Sequence, residues 1–292
     1  MTSGVLVVDK PAGLTSHAVV ARVRKALGIR RIGHAGTLDP DATGVLVLGV
    51  GQATRLLGYL AASDKEYTST FVLGCSTTTD DAAGESVAWV PATNLEPARV
   101  ADAMTEFVGD ILQRPSAVSA VKVDGQRAYA LVRSGRDVDL PPRPVSVTAF
   151  DLLALRPETR EGHGVTAVDV VVRCSAGTYI RALARDLGDA LGVGGHVETL
   201  RRTRSGSFSA QEAVALADVD SSTPLLSPAE AARRSMPCLV IDEEAAALAR
   251  HGVQIPWPNE APGGMTAFVC GSELVGLGES RHGRTVWSAV FA

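Results

Sequence analysis

At 292 residues and 46% hydrophobic composition, the chain is long enough for one large domain with a sizeable core and a small second one. No apolar run reaches the length of a membrane span, and the N-terminus opens directly on a strand-like Gly4-Val-Leu-Val-Val8, which predicts neither a signal peptide nor a membrane segment. Cys75, Cys174, Cys238 and Cys270 stand singly and the six histidines are dispersed, a pattern that argues against a metal centre and predicts no structural zinc and a reducing, cytoplasmic setting.

The net charge of −4 looks wrong for a nucleic-acid binder, but its distribution is uneven. Residues 1–60, 111–147 and 173–206 together carry a charge of +10, which leaves −14 on the remainder. An acidic body with three basic segments fits one polyanion-binding face, because local potential rather than net charge steers a ligand.

In chain order, the first strand is followed by the loop Asp9-Lys-Pro-Ala-Gly-Leu-Thr-Ser16. Ser16 reads as the N-cap of a helix that runs to about Leu27, with Val19, Val20, Val23 and Leu27 on one face. Arg22, Arg24, Lys25, Arg30 and Arg31 lie on or just beyond that helix. Lys10, which ends the strand, is open to three readings: an RNA contact, a solvated lysine or a loop-pinning one.

The stretch Gly33-His-Ala-Gly-Thr-Leu-Asp-Pro-Asp-Ala-Thr-Gly44 then denies regular structure with three glycines and a proline. It runs into Val45-Leu-Val-Leu-Gly-Val50, a short apolar run bounded by glycine that reads as a buried strand. His34, Thr37, Asp39 and Asp41 are its only groups capable of chemistry. Asp-Pro-Asp is also ordinary turn chemistry, so local pattern alone leaves a site and a solvated turn both open.

Further on, residues 51–60 predict a short helix with Leu56, Leu57 and Leu60 inward, and 64–74 an alternating strand that contains Tyr67. A helix around 97–108 precedes Gln113-Arg-Pro-Ser-Ala-Val-Ser-Ala-Val-Lys122, and Leu140-Pro-Pro-Arg-Pro144 forbids helix beyond it. Residues 168–174 read as a strand, followed by a helix with Ile180, Leu183, Ala184 and Leu187 at helical spacing and Gly188 as its end. Arg181 sits at that helix's N-terminus, where a cation is unfavourable unless a carboxylate neutralises it. Residues 221–236, rich in Ser, Pro and Ala, read as a linker to a last domain with a helix at 243–251 and strands at 266–269, 274–277 and 285–291.

The segment from Gly33 to Leu46, G-H-x-G-T-L-D-P-x-A-T-G-V-L, resembles the signature loop of the TruB family of tRNA pseudouridine synthases. Four further stretches resemble the same family: Lys10-Pro…Gly13…Thr15-Ser16, Thr77–Gly84, Cys174-Ser…Gly-Thr-Tyr-Ile-Arg181 and Gly195–Gly206. The likeness covers about residues 4–210. It implies an α+β fold with a long mixed, mainly antiparallel sheet, a catalytic domain over 1–235 with an RNA-gripping insertion at about 113–145, and a PUA-like β-rich domain over 236–292.

The resemblance implies conversion of uridine 55 in the T-arm stem-loop of tRNA, without cofactor, metal or obligatory protein partner, by a monomer. Asp39 would be the catalytic residue, Arg181 its ion-pair partner, and Tyr67 the ring that stacks on the target base. Tyr179 and Leu200 would lie against the nucleotide, and His34 and Lys10 would contact the substrate. Arg24, Lys25, Arg30, Arg31, Lys122, Arg127, Arg202 and Arg204 would serve as RNA-backbone contacts. The chain departs from the family at Ser116 and Val118, where a proline and a tyrosine are usual, although Lys122, Gly125, Arg127, Ala128 and Tyr129 fit.

Three other functions use parts of the same pattern. A silent RNA-binding protein would lack Asp39, Tyr67 or Arg181, and all are present. A glycoside hydrolase pairing Asp39 with Asp41 or Asp64 would not explain the basic segments. A guide-RNA-dependent pseudouridine synthase would carry a larger C-terminal domain.

Overall fold

The computed structural model describes residues 2–116, 122–123, 126–127, 140–258 and 263–291, the two short pairs as backbone alone. Val118, Gly125, Ala128 and Tyr129, and the side chains of Lys122 and Arg127, lie outside the described residues. The chain forms two compact units, Met1–Ser63 with Arg204–Ala292, and Asp64–Thr203.

The first unit begins with β1 (Gly4–Lys10), α1 (Ser16–Leu27), β2 (Ile32–His34) and β3 (Thr43–Val50). β3 pairs antiparallel with β1 over seven residues and with β2 over three. The unbroken apolar runs of β1 and β3 follow from burial on both faces. Val5, Val7, Val45 and Val47 enter one core cluster, while Leu6, Val8, Leu46 and Leu48 enter another with Val19, Val20 and Val23 of α1.

Thr15, not Ser16, caps α1: its hydroxyl accepts from the Ala18 N–H at 3.1 Å, and Ser16 is the first helical residue. Ser and Thr are both good caps, and the tertiary role of Ser16 described below decides between them. The short helix expected over 51–60 is a 3₁₀ turn, Gly51–Leu56, continued by α2 (Leu57–Ala61), with Leu56 and Leu60 buried and Leu57 half-buried.

The second unit holds β4 (Lys65–Leu73), β5 (Cys75–Thr77), β6 (Ser86–Trp89), α3 (Pro97–Thr105), β7 (Gly109–Gln113), β8 (Lys122–Val123), β9 (Gln126–Arg127), β10 (Arg143–Arg160), β11 (His163–Cys174), α4 (Ile180–Leu191) and most of β12 (Gly195–Ser205). Its sheet runs β12-β4-β11-β10-β7. The pairs of β4 with β11, β11 with β10 and β10 with β7 are antiparallel.

In β11, Val168, Val170, Val172 and Cys174 are buried and alternate with more exposed neighbours, the period-two pattern of a strand with one dry face. α4 does not stop at Gly188. It ends at Gly192, which takes the left-handed conformation at φ 77°. Gly188 answers a packing need instead, since a Cβ there would lie 2.2 Å from the Gly194 carbonyl carbon.

The chain then returns to the first unit with β13 (Phe208–Ser209), β14 (Val214–Ala215), α5 (Pro228–Ser235), β15 (Cys238–Val240), α6 (Glu243–Arg250), β16 (Thr266–Cys270), β17 (Glu273–Arg281) and β18 (Arg284–Val290). β14 pairs parallel with β1, which makes this unit's main sheet mixed. The stretch read as a linker contains α5, whose Ala229, Ala231 and Ala232 are fully buried. The β-rich tail is a four-stranded sheet, β15-β16-β17-β18. Ala267, Val269, Leu274, Leu277 and Phe291 from this tail share a core cluster with Val5 and Val7 of β1. Among the described residues no helix is long and apolar enough to cross a membrane.

Candidate active site

The loop between β2 and β3 carries Asp39. Its glycines are needed for their backbone: Gly36 and Gly44 have φ of 92° and 99°, values that disfavour any side chain. The Ala35 N–H donates to the Val47 carbonyl at 2.9 Å, and Leu38 and Ala42 are buried, so the loop lies down on β3. Asp39 is half-buried and Asp41 exposed.

Two buried side chains grip the backbone on either side of Asp39. The Ser16 hydroxyl accepts from the Leu38 N–H at 2.9 Å and donates to the Leu38 carbonyl at 3.1 Å. The Lys10 ammonium donates to the Pro40 carbonyl at 2.7 Å and to the Pro11 carbonyl at 2.8 Å. Lys10 is fully buried, and this geometry is that of the loop-pinning reading. Burial pushes its pKa down to about 8, against the opposing pull of Asp41 and Asp39.

His34 lies on β2 opposite Leu48, with its ring edge-on to His17 at 5.2 Å. Arg24, Lys25, Arg30 and Arg31 are exposed; Arg24 donates to the Ile32 carbonyl at 2.6 Å and Arg31 to the Thr54 hydroxyl at 2.9 Å. Half-buried Arg204 donates to the Gly206 carbonyl at 3.0 Å.

In the second unit, Tyr67 is nearly buried on β4, opposite Val172 of β11. Leu200 is half-buried on β12, the neighbour of β4 on its other side. The two strands are linked at Thr199, whose carbonyl accepts from the Ser69 hydroxyl at 2.5 Å and whose hydroxyl accepts from the Thr70 N–H at 3.1 Å. The residues assigned to the base therefore sit on adjacent strands. Arg202, further along β12, is buried, unlike the basic residues of α1.

Tyr179 and Arg181 stand at the start of α4. The Gln113 amide holds this turn by two bonds to one residue: it accepts from the Tyr179 N–H at 2.7 Å and donates to the Tyr179 carbonyl at 2.9 Å. Arg181 is buried, donates to the Thr79 carbonyl at 2.9 Å and pairs with Asp81 at 3.3 Å. A carboxylate thus meets the cation at the helix N-terminus, as the dipole requires. One turn on, Arg185 binds Asp80 at 3.0 Å, Asp186 at 2.8 Å and the Arg114 carbonyl at 2.8 Å.

The roles of Asp81, of Gln113 and of the two hydrogen bonds of Ser16 are not legible in the sequence. Asp81 was in view as part of the Thr77–Gly84 loop. Ser16 and Gln113 also lie in stretches the sequence singles out, but their partners are backbone atoms 22 and 66 residues away, which no motif names.

Residues 24–180 match the model of the TruB family pseudouridylate synthase N-terminal domain, and 181–233 that of the tRNA pseudouridylate synthase B C-terminal domain. The tRNA pseudouridine synthase B of Thermobifida fusca is 47% identical over 292 residues, covering 100% of this chain and 99% of its own. That of Nocardia farcinica is 51% identical over 282 residues, covering 96% and 90%.

Among solved structures, an H/ACA RNP bound to a substrate RNA containing 2′-deoxyuridine includes a chain with a TM-score of 0.74 at 27% identity, covering 99% of this chain and 85% of that one. A Cbf5-Nop10-Gar1 complex gives 0.72 at 29%, covering 99% and 84%. With a family model spanning more than half its length and relatives about half identical end to end, the chain belongs to the TruB family of pseudouridylate synthases.

Proposed function

We propose that this protein converts uridine 55 in the T-arm stem-loop of tRNA to pseudouridine, with Asp39 as the catalytic carboxylate. The observation that carries the reading is the Asp39 loop, whose backbone is gripped on both sides by Ser16 and Lys10, in a chain 47% identical to a tRNA pseudouridine synthase B over its whole length. A carboxylate held this way on an otherwise irregular loop suits a group that must meet its substrate in one geometry.

The reaction breaks the bond from ribose C1′ to uracil N1 and forms one from C1′ to C5. N1 gains a proton and C5 loses one, so the change is an isomerisation that needs no oxidant, group donor or cofactor. Asp39 would act as nucleophile or base, with Arg181 orienting it through a charge-assisted contact.

The base must leave its stack to be reached, at a cost of a few kcal/mol. Stacking on Tyr67 and packing on Leu200 would offset part of that, with Tyr179 near the nucleotide and His34 at the flipped strand. Arg24, Lys25, Arg30, Arg31, Lys122, Arg127 and Arg204 are the proposed backbone contacts, whereas the burial of Arg202 corrects its expected place among them. Residues 1–235 would act as the catalytic domain and 236–292 as a PUA-like RNA-binding one, in a cytoplasmic monomer without a protein partner. The solved neighbours include a chain of an H/ACA RNP and one of a Cbf5-Nop10-Gar1 complex, but at 27% and 29% identity, against 51% and 47% for relatives named for tRNA. That contrast favours tRNA as the direct substrate.

The test is turnover of an unmodified tRNA transcript with chelator present. Asp39→Asn should bind the transcript nearly as wild type does, yet lose turnover beyond the roughly 10²–10⁴-fold usual for acid–base assistance alone. Normal turnover by Asp39→Asn refutes the mechanism. No turnover by wild type on any RNA favours a silent RNA-binding protein.

A further inference from the structure

We propose that Ser16 is a positioning residue for the Asp39 carboxylate, acting through the backbone of Leu38. This rests on Asp39 being the reacting group, as proposed above.

The loop that carries Asp39 lacks a strand ladder of its own. Between the Ala35 bond to Val47 and the start of β3 at Thr43, residues 36–42 belong to no strand. Leu38 is buried, so its N–H and C=O need partners, and a buried backbone group without one is costly. One hydroxyl meets both needs, since Ser16 accepts from the Leu38 N–H and donates to the Leu38 carbonyl. A hydroxyl can do this because it carries one donor and two acceptor positions. Two bonds from a single atom fix where the Leu38 peptide groups lie, and the next Cα is that of Asp39.

Ser16 is itself immobile. It is fully buried, and it is the first residue of a helix capped by Thr15 and packed through Val19, Val20 and Val23. On the other side of Asp39, Lys10 holds the Pro40 carbonyl. The carboxylate therefore projects from a backbone fixed at the residue before and the residue after, by side chains six positions apart in sequence. Ser16 reaches no solvent, so its effect on substrate is indirect, and it should govern the chemical step rather than tRNA affinity.

The experiment compares Ser16→Ala, Asp39→Asn and wild type on an unmodified tRNA transcript under single- and multiple-turnover conditions. Ser16→Ala should lower kcat by roughly 10- to 100-fold, the scale of misplacing a reacting group by about an ångström. KM and the tRNA dissociation constant should stay within twofold of wild type. A residue that merely supported the fold would lower the melting temperature and leave the kcat of the folded fraction unchanged, and that outcome overturns the proposal. So does a rise in KM at wild-type kcat.

Ser16→Cys keeps a single donor–acceptor atom at the same branch point, slightly larger and a weaker hydrogen-bonding group, and should give an intermediate kcat at unchanged KM. If Ser16→Ala does not fold, Ser16→Cys carries the test on the same criteria, and a wild-type kcat overturns it. Turnover by Asp39→Asn would defeat the underlying reading instead, whereas an inactive Asp39→Asn beside a wild-type-like Ser16→Ala defeats only this one.

Discussion

The Asp39 loop and the Tyr179–Arg181 turn are stabilised by the same device. In each, one polar side chain bonds both the N–H and the C=O of a single residue: Ser16 with Leu38, and Gln113 with Tyr179. They differ in reach and in charge. Ser16 and Lys10 act across 22 and 30 residues, within a segment that also supplies the strand end and the helix start. Gln113 acts across 66 residues, from the end of an edge strand. In the first case the bolts hold the neighbours of Asp39 and leave its carboxylate half-buried. In the second, Arg181 is itself buried and tied to Asp81 and the Thr79 carbonyl. A reacting anion calls for a rigid backbone beneath it, whereas a supporting cation can be bound at its tip.

The largest effect that probes this contrast is expected at Gln113. Gln113→Ala removes the amide that bonds the Tyr179 N–H and one of two donors to the Tyr179 carbonyl, which keeps the Leu183 N–H, in a half-buried turn, and should destabilise the protein by about 1–2 kcal/mol. Its functional loss should fall on KM, because Tyr179 is proposed to lie near the nucleotide while Asp39 stays in place. Urea unfolding and steady-state kinetics read the two quantities. A lowered kcat at unchanged KM would mean that both bolts do the same job, and the contrast would fail.

The parts legible in the sequence are those that depend on local pattern. The VLVV and VLVLGV runs announced β1 and β3 because burial on both faces leaves no polar position to interrupt them. The apolar spacing of α1 and α4 was equally plain, and the motif residues fall on the elements expected. What stayed hidden depends on distance or on irregularity. β10, eighteen residues long, shifts register between Val147 and Ala149 and again between Leu152 and Ala154, so its alternation never settles. α5 is built on small alanines that read as linker composition, yet alanine is a good helix former and its burial here is tertiary. A cap at Ser16 and a stop at Gly188 are the common local roles of those residues, and in each a partner outside the local pattern overrides them.

A smaller effect concerns the other bolt, Lys10. The buried ammonium has a pKa of about 8, below its unfolded value of 10.5. Below about pH 8 both states hold the proton, and the folded state bears the cost of a buried cation. Between about 8 and 10.5 the unfolded chain keeps a proton that the folded one has released, so wild-type stability should rise with pH relative to Lys10→Met. Turnover should move the other way, since a cation that interacts with Asp41 and Asp39 is lost as the amine becomes neutral. An alkaline limb near pH 8 is expected in wild type and not in Lys10→Met. If the limb persists in the variant, Lys10 holds the loop by hydrogen bonding alone.

The smallest effect separates holding the helix from holding the loop, at two adjacent residues. Thr15 is exposed and caps α1 through the Ala18 N–H, whereas Ser16 is buried and faces Leu38. Thr15→Ala removes a cap, a change that costs about 1 kcal/mol of stability, but it leaves both hydroxyl bonds to Leu38 in place. Its melting temperature should fall by a few degrees, while kcat and KM measured well below that temperature stay at wild-type values. If Thr15→Ala lowers kcat as Ser16→Ala is expected to, the active loop responds to any loosening of α1. The two bonds at Leu38 would then carry no special weight, and the analogy with Gln113 would rest on geometry alone.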